Sequence, residues 1–344
     1  MQKIVVASTR RNAGKTSTII GLAEASNKQC GYLKPLGDRL LYRKKRLWDY
    51  DSELLTYILN IGEKPEDISL GFEHAKLRYM YDAETTKAKL LEKAETVAAG
   101  KDLLLVEAGS EIHFGASVHV DALSLARALD AKLLLVLGGG EDDILDDLHF
   151  LKRNIDMNGI DFVGAVINKI KDMEDFQATY VNEIENAGVK VLGLIPYKEE
   201  LTHMPISYLV DLLFAKVIAG EGGLNRIAKN IFVGAMSVNT AIQNPMFKKQ
   251  SKLIITSGDR SDMILAALES DTSCIVLTNN ILPPSNIISK AEHANVPLLL
   301  VPWDTYRTAM QIDLMDPLLT KNDKKKVDLV GKLIKDNVKI DQIL

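Results

Sequence analysis

Ile4-Val5-Val6-Ala7-Ser8-Thr9-Arg10-Arg11-Asn12-Ala13-Gly14-Lys15-Thr16-Ser17 is the stretch whose reading decides the fold. A short apolar run passes into a polar loop that ends in Gly-Lys-Thr, and residues 15–25 continue with helical spacing. Strand, loop and helix in that order form the setting of a phosphate loop, because backbone N–H groups at the turn and the helix N-terminus face an anion. Thr9, Asn12, Ala13, Gly14, Lys15, Thr16 and Ser17 are therefore the expected nucleotide contacts. Lys15 is expected at the β and γ oxygens, and the Thr16 hydroxyl at Mg²⁺. The usual GxxxxGK[ST] spacing has Gly where this chain has Thr9.

Outward from this loop, apolar runs recur at residues 29–34, 103–107, 133–137, 162–167 and 191–195, with helical patterns at 52–59, 83–99, 120–129, 144–157 and 176–187. Continuous apolar strands alternating with helices predict βαβ crossovers and a parallel sheet covered on both faces. The expected fold is thus α/β, a doubly wound, mainly parallel-sheet P-loop NTPase domain over residues 1–202. A polar connection follows, and a second alternating series predicts a smaller α/β domain over residues 208–316. That series has helices at 208–217, 262–269, 285–294 and 304–310, with strands at 231–233, 253–256, 274–278 and 298–301. Residues 317–344 read as a helical tail opened by a solvated lysine run, Lys324-Lys325-Lys326.

Composition excludes several classes. A net charge of −4 lacks the basic excess that binding to a phosphodiester backbone needs, so no nucleic acid is expected. No apolar run approaches the roughly 20 residues that span a bilayer, and the N-terminal run is too short for a signal-peptide core. Cys30 and Cys274 lie far apart without CxxC spacing, so neither a disulfide framework nor a thiolate metal site is suggested, and the expected compartment is the cytoplasm.

Three further positions, Lys34, Glu107 and Asn168, stand at expected strand ends, where open parallel sheets bind ligands, and Asp51 precedes an expected helix. Lys34 either presents its ammonium to a substrate carboxylate or the γ-phosphate, or is an ordinary surface lysine. Glu107 closes the run 103–107 and is placed to meet Mg²⁺. Asp51, in Asp49-Tyr50-Asp51-Ser52-Glu53, is either a metal ligand or part of a helix start. Asn168 can pair with an adenine edge through an amide that both donates and accepts. Arg10 and Arg11 bring more positive charge than one triphosphate needs, so one of them is a candidate for reaching a partner subunit.

Taken together, residues 8–16, Lys34-Pro35, Asp51, Glu107-Ala108-Gly109, Asn168-Lys169 and Ile195-Pro196-Tyr197 resemble the dethiobiotin synthetase-like family in order and spacing. The resemblance implies ATP as the nucleotide, phosphate binding by Gly14, Lys15 and Thr16, and Mg²⁺ binding by Thr16, Asp51 and Glu107. It further implies adenine recognition by Asn168, Lys34 facing the γ-phosphate and the second substrate, and a homodimer. The second domain resembles the DRTGG domain that follows such a domain in long bacterial phosphotransacetylases. The matching residues are Thr256-Ser257-Gly258-Asp259-Arg260-Ser261-Asp262, residues 275–278, and Leu299-Leu300-Val301 with Asp304-Thr305, with Asn279-Asn280 in place of Gly-Gly. Ending at Leu344, the chain is not expected to be a phosphotransacetylase.

Two functions follow as expectations. One is a nucleotide-dependent regulator or sensor with slow ATPase activity, its second domain reading a small-molecule effector. The other is an ATP-dependent ligase that activates a carboxylate or carbamate, with Lys15 and Lys34 as its catalytic cations.

Overall fold

The computed structural model describes residues 1–43, 46–313, 319–321 and 323–344. Two compact units divide the chain, one made of Met1–Lys198 with Leu319–Leu344 and the other of Glu199–Leu318. The boundary expected at residues 316 and 317 lies outside the described residues.

The first unit runs β1 (Gln2–Ala7), α1 (Lys15–Ser26), β2 (Cys30–Leu33), β3 (Leu40–Arg43), β4 (Arg46–Asp49), α2 (Tyr50–Ile58), α3 (His74–Met80), α4 (Ala83–Ala98), β5 (Leu103–Glu107) and α5 (Ala122–Leu129). It continues with β6 (Lys132–Leu137), α6 (Glu141–Asn154), β7 (Phe162–Ile170), α7 (Met173–Asn186) and β8 (Val191–Pro196). Its main sheet has the order β2-β5-β1-β6-β7-β8, with every pair parallel. Ile4, Val5, Val6 and Leu103 to Val106 are fully buried, which is why these strands read as unbroken apolar runs. β1 lies inside the sheet, with β5 and β2 on one side and β6 to β8 on the other. The loops that leave β1, β2, β5 and β7 therefore meet at one carboxyl edge, in the crevice where open α/β sheets hold ligands.

The second unit carries β9 (Met204–Pro205), α8 (Ile206–Leu212), β10 (Lys216–Ala219), β11 (Ile227–Ala228), β12 (Asn230–Val233), α9 (Val238–Gln243) and β13 (Lys252–Ser257). After these come α10 (Ser261–Leu268), β14 (Thr272–Thr278), α11 (Ser285–His293), β15 (Leu298–Leu300) and α12 (Thr305–Asp313). Its sheet has the order β10-β15-β14-β13-β12, parallel except for the edge strand β10. Phe232, Ile254, Ile264, Ile275, Leu277 and Leu298 form part of its core.

Two expectations need correction. The helix expected over 208–217 stops at Leu212, because Phe214 takes φ 49° and Lys216 begins a strand paired with β15. An L-residue at positive φ cannot continue a right-handed helix. The C-terminal segment is not a separate tail: α13 (Lys324–Asn337) packs on α1 within the first unit, and Val338 bridges to Gly193 of β8. Of the lysine run that opens this helix, Lys326 is buried while Lys324 and Lys325 are exposed.

The α1–α13 crossing relies on glycine. A Cβ at Gly21 would strike the Ile334 side chain and lie 3.2 Å from the Val330 carbonyl oxygen, whereas one at Gly331 would clash only with the carboxylate end of the exposed Glu24 side chain, which can swing aside. Gly21→Ala is therefore expected to destabilise the chain by about 1–3 kcal/mol through overpacking. Gly331→Ala should have little net effect, since the gain of about 1 kcal/mol from Ala over Gly in a helix offsets moving the Glu24 carboxylate aside. Thermal unfolding of the two variants by calorimetry checks this; equal melting temperatures would contradict it.

Candidate functional site

The loop between β1 and α1 is built by two left-handed residues, Asn12 at φ 62° and Gly14 at φ 101°. Gly14 is also the position of closest approach, since a Cβ there would run into the Asn168 amide. α2, α4, α5 and α7 each begin on an aspartate that accepts backbone N–H groups. α1 begins on Gly14 with no side-chain cap and no acidic residue in its first turn. Its N-terminal N–H groups are thus left for an anion.

Lys15 is buried and donates to Ser8 Oγ at 2.8 Å and to the Ser110 carbonyl at 3.1 Å, while burial lowers its pKa. Thr16 Oγ1 lies 3.0 Å from Glu107 Oε1 and 3.2 Å from Asp51 Oδ1. Thr16 thus touches both carboxylates expected with it around Mg²⁺, although the three residues come from α1, α2 and β5. Tyr32 donates to the second Glu107 oxygen at 2.7 Å. Burial, reinforced by the Asp51 charge and only partly offset by Lys34 and Lys15, lifts Glu107 to about 7.

Lys34 is not a surface lysine. Its side chain is 1% exposed, with Nζ 2.6 Å from both Asp38 Oδ1 and Asp51 Oδ2, 3.4 Å from Asp49 and 4.0 Å from Glu107. Burial opposes its charge, yet Asp49, Asp51, Glu107 and Asp38 together hold its pKa well above the usual lysine range. Asp51 is likewise opposed by burial, but Lys34 and Arg39 hold its carboxyl below the usual range. Arg39, between β2 and β3, places one guanidinium nitrogen 3.4 Å from Asp51 Oδ1 and another 2.7 Å from Asn12 Oδ1.

Asp38, Asp49 and Arg39 were not legible as site residues. Asp49 does what its place before Tyr50 predicts, accepting from Ser52 N at 2.9 Å as the cap of α2. Its other oxygen accepts the backbone N–H groups of Asp38 and Arg39 at 3.1 Å, which folds the segment after Lys34 back over the site. Gly37 permits that return, since a Cβ there would lie 3.0 Å from the Asp49 Cβ and closer to the Phe72 ring. Only the adjacent Asp49-Tyr50-Asp51 hinted at more than a helix start.

The donor set suits a magnesium ion. Thr16, Asp51 and Glu107 supply hard oxygen ligands from converging elements, and the four carboxylates of the cluster are met by Lys15, Lys34 and Arg39. The Lys34 ammonium already fills a cation's place against Asp51.

Asn168 follows β7's central run and lies against the loop, one amide N–H donating to the Ala13 carbonyl at 2.9 Å and its oxygen accepting from Lys169 N. Lys169 Nζ in turn donates to the Asn12 carbonyl at 2.6 Å. Arg10 is engaged within its own chain, in a bidentate pair with Asp147 at 2.8 and 3.0 Å and a further contact with Asp143 at 3.1 Å. Arg11 is largely exposed and pairs with Glu111 at 3.4 Å.

In the second unit the turn Asn279-Asn280 takes φ 60° and 54°, so asparagine supplies the left-handed conformation. Arg260 donates to the Met236 carbonyl at 2.8 Å and pairs with Asp262 at 3.4 Å.

Fold and site together define a P-loop nucleotide-binding protein. The chain belongs to the AAA domain family, whose model matches residues 2–205, and a DRTGG domain model matches residues 208–315. It is similar to the phosphate acetyltransferase of Pseudomonas putida, at 25% identity over 365 residues that cover 97% of this chain and 50% of that protein. The phosphate acetyltransferase of Deinococcus radiodurans is also 25% identical, over 98% of this chain and 50% of its own length. The chain thus spans about half the length of the curated relatives it matches. Among solved structures, a chain of the MinC:MinD cell division protein complex of Aquifex aeolicus is 20% identical with a TM-score of 0.38, covering 58% of this chain and 84% of that one. The CBS and DRTGG domains of the regulatory region of Clostridium perfringens pyrophosphatase, in complex with diadenosine tetraphosphate, are 18% identical with a TM-score of 0.28, covering 39% of this chain and 61% of that one. Among the described residues, no helix is long and apolar enough to cross a membrane.

Lys34→Met would leave buried carboxylates without their closest cation, a loss of about 3 kcal/mol or more. The variant is expected to melt well below the parent in a chelator and to regain much of the difference on addition of Mg²⁺, while the parent gains less. Melting curves that Mg²⁺ moves equally in both proteins would contradict the reading of Lys34 as a cation in a metal's place.

Proposed function

We propose that the chain is a nucleotide-dependent regulator or sensor that binds ATP with Mg²⁺ and hydrolyses it slowly. Thr16, Asp51 and Glu107 would hold the metal, Lys15 and the backbone of residues 9–17 the phosphates, and Asn168 the adenine edge. Bound there, Mg²⁺ would neutralise charge on the terminal phosphates.

The observation that carries this reading is the way Asp51 is spent. Its carboxylate is shared by Thr16, Lys34 and Arg39, so a metal that takes Asp51 must weaken two cation pairs at once. With the site loaded, Lys34, Arg39 and the segment that carries them would take other partners, and a ligand with different contacts in two arrangements shifts the balance between them. The DRTGG domain would then read a small-molecule effector or mediate assembly. The ligase reading needs Lys34 to face a second substrate, and its burial among three aspartates counts against that.

The chain spans about half the length of its curated relatives, so acetyl transfer, the activity named for them, stays outside the proposal. A twofold homodimer in the cytoplasm completes it. Arg10 offers no support for a role across subunits, being already bound by Asp143 and Asp147.

Calorimetry tests the reading. The parent should bind ATP only with Mg²⁺ and favour it over GTP, Lys15→Ala should abolish binding, and Asn168→Ala should narrow the base preference. Unchanged ATP affinity in Lys15→Ala would remove the nucleotide assignment. Light scattering in saturating ATP reads the dimer, and a monomer at micromolar concentration would remove it.

A further inference from the structure

The geometry points to Arg39 as the residue that reads the terminal phosphoryl group, and so separates a nucleoside triphosphate from a diphosphate. The inference rests on the nucleotide reading above and assigns a specificity residue to that same site.

Three observations carry it. First, Arg39 joins the two halves of the site, with one nitrogen 2.7 Å from the Asn12 side chain in the phosphate loop and another 3.4 Å from Asp51 Oδ1 on the metal side. Secondly, that Asp51 oxygen is the one 3.2 Å from the Thr16 hydroxyl. A metal held by Thr16 would neutralise the outer phosphates of a triphosphate, so a guanidinium that shares this Asp51 oxygen with Thr16 would stand nearest the outer end of the bound phosphate chain.

Thirdly, Lys15 and Lys34, the other two cations that meet the carboxylate cluster among the described residues, are differently placed. The Lys15 ammonium is held by Ser8 and Ser110, and that of Lys34 lies 1% exposed among aspartates, while the Arg39 side chain keeps 27% of its surface in solvent. Arg39 thus combines access to an entering ligand with contacts to both loop and metal side. Its guanidinium presents paired N–H groups in a fixed plane, which suits two oxygens of one phosphoryl group. A metal that drew on Asp51 would weaken the 3.4 Å contact and let that N–H group donate to the phosphoryl instead. The backbone supports this placement, since Arg39 N is fixed by Asp49 Oδ2 at 3.1 Å and Tyr50 N donates to the Arg39 carbonyl at 2.8 Å.

The experiment measures Mg·ATP and Mg·ADP affinity by calorimetry on the full chain for the parent, Arg39→Gln and Arg39→Lys, with unliganded melting temperatures taken alongside. Arg39→Gln is expected to lose about tenfold to hundredfold in ATP affinity, the worth of a hydrogen bond to a charged group, with ADP affinity within about twofold of the parent. Arg39→Lys, which keeps the charge but not the fork, should lose an intermediate amount of ATP affinity. Equal losses for ATP and ADP, or no loss for either, would overturn the role of Arg39 and leave the nucleotide reading standing. A parent that binds neither nucleotide would overturn both. A fall in unliganded melting temperature that accompanies equal losses would assign Arg39 to the support of the loop instead.

Discussion

The arrangement turns on one buried carboxylate. Asp51 is fully enclosed, which by itself would favour the neutral acid, yet it is held charged by Lys34 and Arg39 and placed against the Thr16 hydroxyl. A carboxylate desolvated this far persists as an anion only while cations surround it. Every neighbour is consequently fixed in turn: Lys34 by three aspartates, Arg39 by Asn12, and Glu107 by Thr16 and Tyr32. The phosphate loop is coupled through these contacts to the segment between β2 and α2.

The sheet makes this coupling possible. Because β5 is hydrogen-bonded to both β1 and β2, Glu107, Thr16 and Lys34 emerge side by side although they lie tens of residues apart. Behind the loop, α1 is backed by α13 at a crossing that admits no side chain at Gly21, so the helix that presents Thr16 is packed from residues more than three hundred positions further along. Arg10 ties the front of the same loop to α6 through Asp147. The acidic first turn of α6 does what its position predicts, with Asp143 accepting the Gly140 N–H.

How much of this was legible follows from what kind of signal each part leaves. Buried parallel strands leave unbroken apolar runs, and the six strands of the main sheet could be read from them almost residue by residue. Thr16, Asp51, Glu107 and Asn168 stand at ends of elements, which a resemblance in spacing can carry, and the structure brings all four to the loop. The pair β3–β4 was missed because Leu40–Arg43 and Arg46–Asp49 carry charged residues and lie apart from the main sheet. The switch from α8 to β10 was missed because Phe214 at positive φ breaks a pattern that apolar periodicity continues across. Asp38 and Arg39 left no signal at all, since their place depends on Asp49 binding their backbone across ten residues of intervening chain. The burial of Lys34 was hidden for the same reason: strand-end lysines usually face water, and only the folded-back segment encloses this one.

A structure of the chain crystallised with Mg²⁺ and a non-hydrolysable ATP analogue tests the central claim most directly. The account predicts one octahedral metal bonded to Thr16 Oγ1, with Asp51 and Glu107 bound to it directly or through one water, and the Lys34 ammonium drawn away from Asp51 towards Asp38 and Asp49. A metal seated among Asp38, Asp49 and Asp51 without Thr16, or a nucleotide whose phosphates lie outside the loop of residues 9–17, would contradict it.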